Sequence, residues 1–246
     1  MDNLSSLEKD WLDWAYPIVA VPADHREVCE SAAVDGASGE PRLSLVHRFP
    51  GCVGSAFESS PIPVLCVAQV HHAAILYDTM SGFEAEMDQW VASRDVDPMA
   101  DTRFLKAVRA RYESAIAKWG PWIQTFSKIL NGFHYDPRNI AYANFAKCWQ
   151  DPKKSKAISC MSACETAFPI RKLAEAVSPK VIIAMTTDAE RVIGISSWGI
   201  PRDQVIVVTA SGPLRWKECR PDSIPSAKSR FADLYHRFAP TESGDH

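Results

Sequence analysis

Four stretches of the chain are almost unbroken in apolar residues: Pro63 to Gln69, Asn139 to Ala146, Lys180 to Met185 and Gln204 to Thr209. None alternates apolar with polar positions, so each reads as a strand buried on both faces of a parallel sheet. Helical spacing fills the gaps between them. Met99 to Ala117 brings Phe104, Val108, Tyr112, Ala115 and Ile116 onto one face, and Trp122 to Leu130 follows directly after Pro121. A third helix is predicted over Ser162 to Val177, ended by Ser178-Pro179, and a short fourth starts at Asp188. The last is predicted over Ile224 to Phe238, and the tail from Pro240 is expected to be disordered. Strands alternating with helices predict an α/β fold, a three-layer α/β/α sandwich around a central, mainly parallel, four-stranded sheet.

Asp24 to Ser55 is rich in Gly, Ser, Pro and Ala and has no period, so it reads as an irregular stretch. The organisation expected is one domain over 1–246: an N-terminal arm over 1–60, a core over 61–239 and a tail over 240–246. With 246 residues, 46% of them hydrophobic and 23% charged, the chain is long enough for a full core of ordinary composition. It has no apolar run of membrane-spanning length, and its first residues are too acidic for a signal peptide. A soluble, cytoplasmic, monomeric protein without membrane contact is therefore expected. Seven cysteines, an odd number, fit a reducing compartment better than a disulfide framework. A net charge of −3 removes any global basic signal for nucleic acid and leaves room only for a local DNA-binding patch.

Chemistry-bearing residues collect at the predicted strand ends, where open α/β sheets bind ligands. The first strand runs into Gln69-Val70-His71-His72, and the second carries Tyr142-Ala143-Asn144-Phe145-Ala146-Lys147-Cys148. The third segment, Leu173 to Ala189, reads LAEAVSPKVIIAMTTDA, and the fourth reads Val208-Thr209-Ala210-Ser211-Gly212-Pro213-Leu214-Arg215. In order and spacing, these segments over Pro61 to Leu214 resemble the uracil-DNA glycosylase superfamily. In that family a Gly-Gln-Asp-Pro-like turn follows the first strand, and an asparagine on a later strand reads the base. A Pro-Lys-Val-Ile-Val segment and a His-Pro-Ser loop bearing a leucine wedge come next.

The resemblance implies a glycosylase that flips a base from the duplex and cuts its N-glycosidic bond through an oxocarbenium-like sugar. Asn144 stands at the base-reading position, and an amide supplies both a donor and an acceptor for a pyrimidine edge. Its other reading is a buried asparagine that pins the strand end. Gln69, Val70 and Thr209 complete the expected base-binding set. Val70 replaces the residue that positions water, so His71 and His72 are the candidate catalytic bases or electrostatic stabilisers. Asp78 is a further candidate for activating water, although a solvated helix-face aspartate is the blander account of it. Thr209 replaces the family histidine that stabilises the leaving base, and neither Thr209 nor Ser211 can supply positive charge. Leu214 falls in register with the wedge. With Ser211, Arg215, Trp216 and Lys147 it forms the expected DNA contact, Lys147 opening a second basic stretch that runs to Lys156.

These departures argue against plain uracil. They favour a modified or damaged base, such as a bulky modified pyrimidine of phage DNA, in which case the role is defence. The alternatives are a repair enzyme for uracil or a deaminated base, and a glycosylase-fold DNA-binding protein without catalysis. No cofactor is the expected state. One branch of the superfamily carries a four-iron cluster and shares the Cys148 to Cys164 spacing. Its N-terminal Cys-x-x-Cys pair is missing here, so Cys29 and Cys52 would have to join Cys148 and Cys164. Cys66, inside a predicted strand, reads as a buried core thiol.

Overall fold

The computed structural model describes residues 4–20, 50–68, 83–118, 121–144, 166–185, 198–208 and 223–239. In chain order these form α1 (Ser6–Ala20), β1 (Cys52–Val53), β2 (Val64–Ala68), α2 (Phe83–Ser93), α3 (Ala100–Lys118), α4 (Pro121–Leu130), β3 (Ile140–Asn144), α5 (Ile170–Val177), β4 (Val181–Met185), β5 (Val205–Val207) and α6 (Ile224–Phe238). The result is an α/β fold around a mixed five-stranded sheet in the order β1-β3-β2-β4-β5.

Each of the four apolar runs contains a strand. β2 lies at the centre and pairs in parallel with β3 on one side and β4 on the other, and β4 pairs in parallel with β5. All residues of these four strands are buried, so both faces of the parallel sheet are covered. That burial is why their sequences run apolar without alternation. Among the helices, α1 packs on α2 and α5, α2 on α3, and α6 on α4 and β5.

The sheet has one strand more than the four expected. Cys52–Val53 pairs antiparallel with Tyr142 and Ala141 at the edge of β3, within the stretch read as irregular. Two residues are too few to show a period, which is why the pattern missed them. Two glycines let this edge approach closely. A Cβ on Gly51, whose φ is +86°, would meet the Tyr142 carbonyl oxygen at 2.1 Å, and one on Gly54 would meet that of Arg138 at 2.2 Å. The start of the chain is also more than an arm. The apolar side of α1, with Trp11, Leu12, Trp14, Ala15, Ile18 and Val19, is built into the core. The Arg109 guanidinium ties α1 to the edge strand, donating to Glu8 at 2.6 Å and to the Val53 carbonyl at 3.0 Å.

Helices α3, α4 and α6 lie where periodicity predicts them. Phe104, Val108 and Tyr112 are buried as expected, while the side chains of Ala115 and Ile116 lie outside the described residues. The third predicted helix is cut at Pro169, which N-caps α5, because a proline disfavours helical backbone in the residue before it. Residues 162–165 are outside the described residues. Its end is as predicted: Ser178 takes a left-handed conformation and donates its N–H to Ala174 O at 2.9 Å. Helix α2 was not anticipated. It is anchored by Trp90, whose ring stacks on Phe104 of α3 with centroids 3.8 Å apart and whose Nε1 donates to Asp101 at 2.8 Å. The helix predicted at Asp188, the tail from Pro240 and most of the irregular stretch lie outside the described residues. No described helix is long and apolar enough to cross a membrane.

Gly51→Ala is expected to lose roughly 2–4 kcal/mol of stability in urea denaturation, because left-handed strain and collision with the Tyr142 carbonyl add. Gly132→Ala, with φ +97° and nothing within 4 Å of the new Cβ, is expected to lose only about 1–2 kcal/mol from backbone strain. Equal losses would show that the β1 edge tolerates the added atom.

Candidate functional site at the carboxyl edge of the sheet

Parallel register aligns the ends of the central strands. Ala68 of β2 pairs with Asn144 of β3 and with Met185 of β4, so these three form a row across the carboxyl edge. β5 joins one step back, Val207 opposite Ala184, and the Val208 N–H donates to the Ala184 carbonyl at 2.9 Å. The chain leaves β2 to form β3 on one side, then returns to form β4 and β5 on the other. The order therefore reverses at β2, and the crevice at such a switch point, outside the strand carboxyl ends, is where open α/β sheets bind ligands. Asn144 is one strand from it, about 4.8 Å in the hydrogen-bonding direction.

Among the described residues, Asn144 is the most deeply buried polar side chain at 1% exposed, against 6% for Thr102 and 8% for Thr125. An apolar residue of similar size would suit a sheet covered on both faces at least as well. The amide is held by its own strand: the Tyr142 hydroxyl, two residues back and on the same face, donates to Asn144 Oδ1 at 3.0 Å. Tyr142 is wedged in turn between Tyr112 of α3 and Phe126 of α4, with ring centroids 5.7 and 6.4 Å away. Burial pushes the Tyr142 phenol well above its usual pKa and outweighs the opposing hydrogen bond to Asn144, so it remains a neutral donor. Cys66 pairs with Tyr142 across the sheet, fully buried, and burial raises its thiol as well. It is an inert core thiol, as its place in the strand predicts.

The approach to β3 is fixed separately. Asp136 caps the turn Pro137–Asn139, accepting from the Arg138 N–H at 2.7 Å, while Asn139 Oδ1 accepts from the Asp136 N–H at 3.3 Å. The hydrogen bond from the Arg138 side chain is the largest cause holding the Asp136 carboxyl below its ordinary range.

Of the candidate site and metal-ligating residues named from the sequence, the structure describes Asn144 and Cys52. Asn144 lies at the strand end, buried and oriented. The sequence places Gln69 directly after Ala68 and Thr209 directly after Val208, so both follow strand ends of this edge. Gln69, Val70, His71, His72, Asp78, Lys147, Thr209, Ser211, Leu214, Arg215 and Trp216 lie outside the described residues, as do Cys29, Cys148 and Cys164. Cys52 is fully buried in β1, and its Sγ lies 3.4 Å from the Val53 carbonyl oxygen. Among the described residues no three of His, Cys, Asp or Glu come together as a metal site. Tyr142 was missed as part of the site, although its i, i+2 spacing from Asn144 on a strand was available in the sequence.

No family model, curated protein or solved structure matches this chain.

Asp136→Ala is expected to cost about 1 kcal/mol of stability at neutral pH, the usual worth of a cap. Because the folded carboxyl is held low, its contribution is present above the ordinary carboxylate pKa and lost as pH falls through the folded value. Denaturation curves of the two proteins should therefore converge in acid. A difference that stays constant down to strongly acidic pH would contradict this assignment.

Proposed function

We propose that the chain is a DNA glycosylase that hydrolyses the N-glycosidic bond of a flipped-out modified or damaged base and leaves an abasic site. The observation that carries the reading is Asn144: an oriented, deeply buried amide at the carboxyl edge, on the strand next to the one where the strand order reverses. It is the residue that the resemblance to the uracil-DNA glycosylase superfamily assigns to base reading. Four parallel strands covered on both faces, with the sequence segments of that resemblance running through or just past them, support the same reading.

In this reading the extrahelical base sits at the carboxyl edge, with Gln69, Val70, Asn144 and Thr209 as its base-binding set. The bond from the sugar C1′ to the base nitrogen breaks with both electrons going to the base. Water adds its oxygen to C1′ and gives up a proton, and the leaving base is neutralised by a proton in turn. His71 or His72 takes the proton from water, with Asp78 as a further candidate for the same task. Thr209 and Ser211 offer hydrogen-bond donors but no positive charge, so the favoured substrate is a base that departs more readily than uracil, or one held by contacts to a bulky substituent. Leu214 fills the gap left in the duplex, and Lys147, Arg215 and Trp216 hold phosphates and stack on the strand. Phage DNA carrying bulky modified pyrimidines is the substrate class favoured, which makes the role defence.

The test is incubation of the purified protein with uracil-containing, hydroxymethylated, glucosylated and unmodified DNA, with alkali cleavage to detect abasic sites. Cleavage confined to modified DNA is expected, with a loss of roughly 100-fold or more for Asn144→Ala and for His71→Ala combined with His72→Ala. Cutting of uracil DNA would establish the repair alternative. Binding without cleavage of any DNA, by protein whose melting is cooperative, would establish a DNA-binding protein instead.

A further inference from the structure

We propose that the outer edge of β5 is a strand-pairing surface for a second copy of this chain, held shut by the guanidinium groups of Arg230 and Arg202. The inference is independent of the base-reading role of Asn144.

Among the described residues the sheet ends at β1 on one side and at β5 on the other. An edge strand carries a row of backbone groups that no neighbouring strand pairs, which makes it a template for another chain. The bonds that face inward show which groups these are. In a strand the N–H and C=O of one residue point to the same side, and consecutive residues alternate. The Val208 N–H donates to the Ala184 carbonyl of β4, so Ile206 also faces β4 while Val205 and Val207 face outward. The run Val205-Ile206-Val207-Val208 is β-branched throughout and buried, a composition suited to adding a strand. Two copies joined antiparallel about a two-fold axis at Ile206 would set Val205 of one against Val207 of the other. Such a pair exchanges both of its backbone hydrogen bonds, so each copy would need the Val205 carbonyl as an acceptor.

That carbonyl is taken. Arg230 Nη2, from α6, donates to it at 2.9 Å, and Arg202 Nη1 donates to it at 3.3 Å. Arg230 also reaches the Asp203 carbonyl at 3.4 Å. Two turns further along α6, Arg237 donates to the Asp203 carboxylate at 2.7 Å. The helix that packs on β5 thus holds a guanidinium over its edge. A copy approaching this edge would bring its own two arginines against the first pair, like charge against like. The opposite edge is closed in the same way. The Gly54 N–H donates to the Ile140 carbonyl of β3, so the Val53 carbonyl, one residue back, faces outward. It accepts from Arg109 of α3 at 3.0 Å. At both ends of the sheet an outward carbonyl is therefore occupied by an arginine carried on a helix.

The test is the mass in solution of the full chain carrying Arg202→Ala and Arg230→Ala together, followed by light scattering as concentration rises. Arg171→Ala with Lys172→Ala, both exposed on α5, is the control that removes the same charge away from the edge. Wild type and control are expected to stay monomeric, and the edge variant to approach a doubled mass. Adding Val207→Pro to the edge variant removes an outward N–H and leaves the bonds to β4 intact, so it should restore the monomer. An edge variant that melts cooperatively and stays monomeric overturns the proposal. A dimer that survives Val207→Pro, or a control that dimerises equally, overturns it as well. If the double variant does not melt cooperatively, Arg230→Ala alone, which loses the shorter bond, is read by the same criteria. A wild type that is already dimeric and that Val207→Pro makes monomeric would show an open edge and contradict the proposal directly.

Discussion

A sheet buried on both faces leaves polar chemistry one place to go, the ends of its strands. β2, β3, β4 and β5 are buried at every residue, and the interior they meet is made of Val, Ile, Leu, aromatic rings and small side chains. Any donor or acceptor inside such a sheet must be satisfied by a neighbour, or it costs about 1–3 kcal/mol. The constraint sorts the chain into apolar strands and polar strand ends. It also makes the one deeply buried amide of β3 conspicuous among the described residues.

Asn144 meets the constraint through its own strand. Tyr142 reaches it because side chains two apart share a face, and Tyr142 is itself held by helices α3 and α4. Those helices lie between β2 and β3 in the chain, so the connection that makes the crossover also supplies the rings that steady the polar pair. The edge strand β1 adds to this. Its two residues pair with Tyr142 and Ala141, and Arg109 links its carbonyl to α1 and α3. The amino-terminal helix, the edge strand and the candidate site are thereby parts of one packed unit.

Much of this was legible in the sequence, for physical reasons that can be named. Unbroken apolar runs mark strands buried on both faces, so β2, β3, β4 and β5 could be placed within a residue or two. Pro121 marked the start of α4 and Ser178-Pro179 the end of α5, because each acts locally on the backbone. The elements missed depend on partners distant in sequence. β1 is two residues long and exists through its pairing with β3 and two glycines that permit close approach. Helix α2 is secured by contact of Trp90 with Phe104 and Asp101, which its own periodicity does not announce. At the site, Asn144 was legible as a polar residue at the end of an apolar strand. Its orientation was not, since that depends on where the Tyr142 hydroxyl lies relative to α3 and α4.

The proposed function has a base extruded from DNA held at the carboxyl edge of the sheet, against Asn144. The most direct measurement follows the side-chain amide resonances of Asn144 by NMR while a duplex carrying one uncleavable, bulky modified pyrimidine is added, with the unmodified duplex as control. A large shift and slowed exchange of the Asn144 amide protons are expected with the modified duplex alone. DNA binding that leaves those resonances where they were would contradict it.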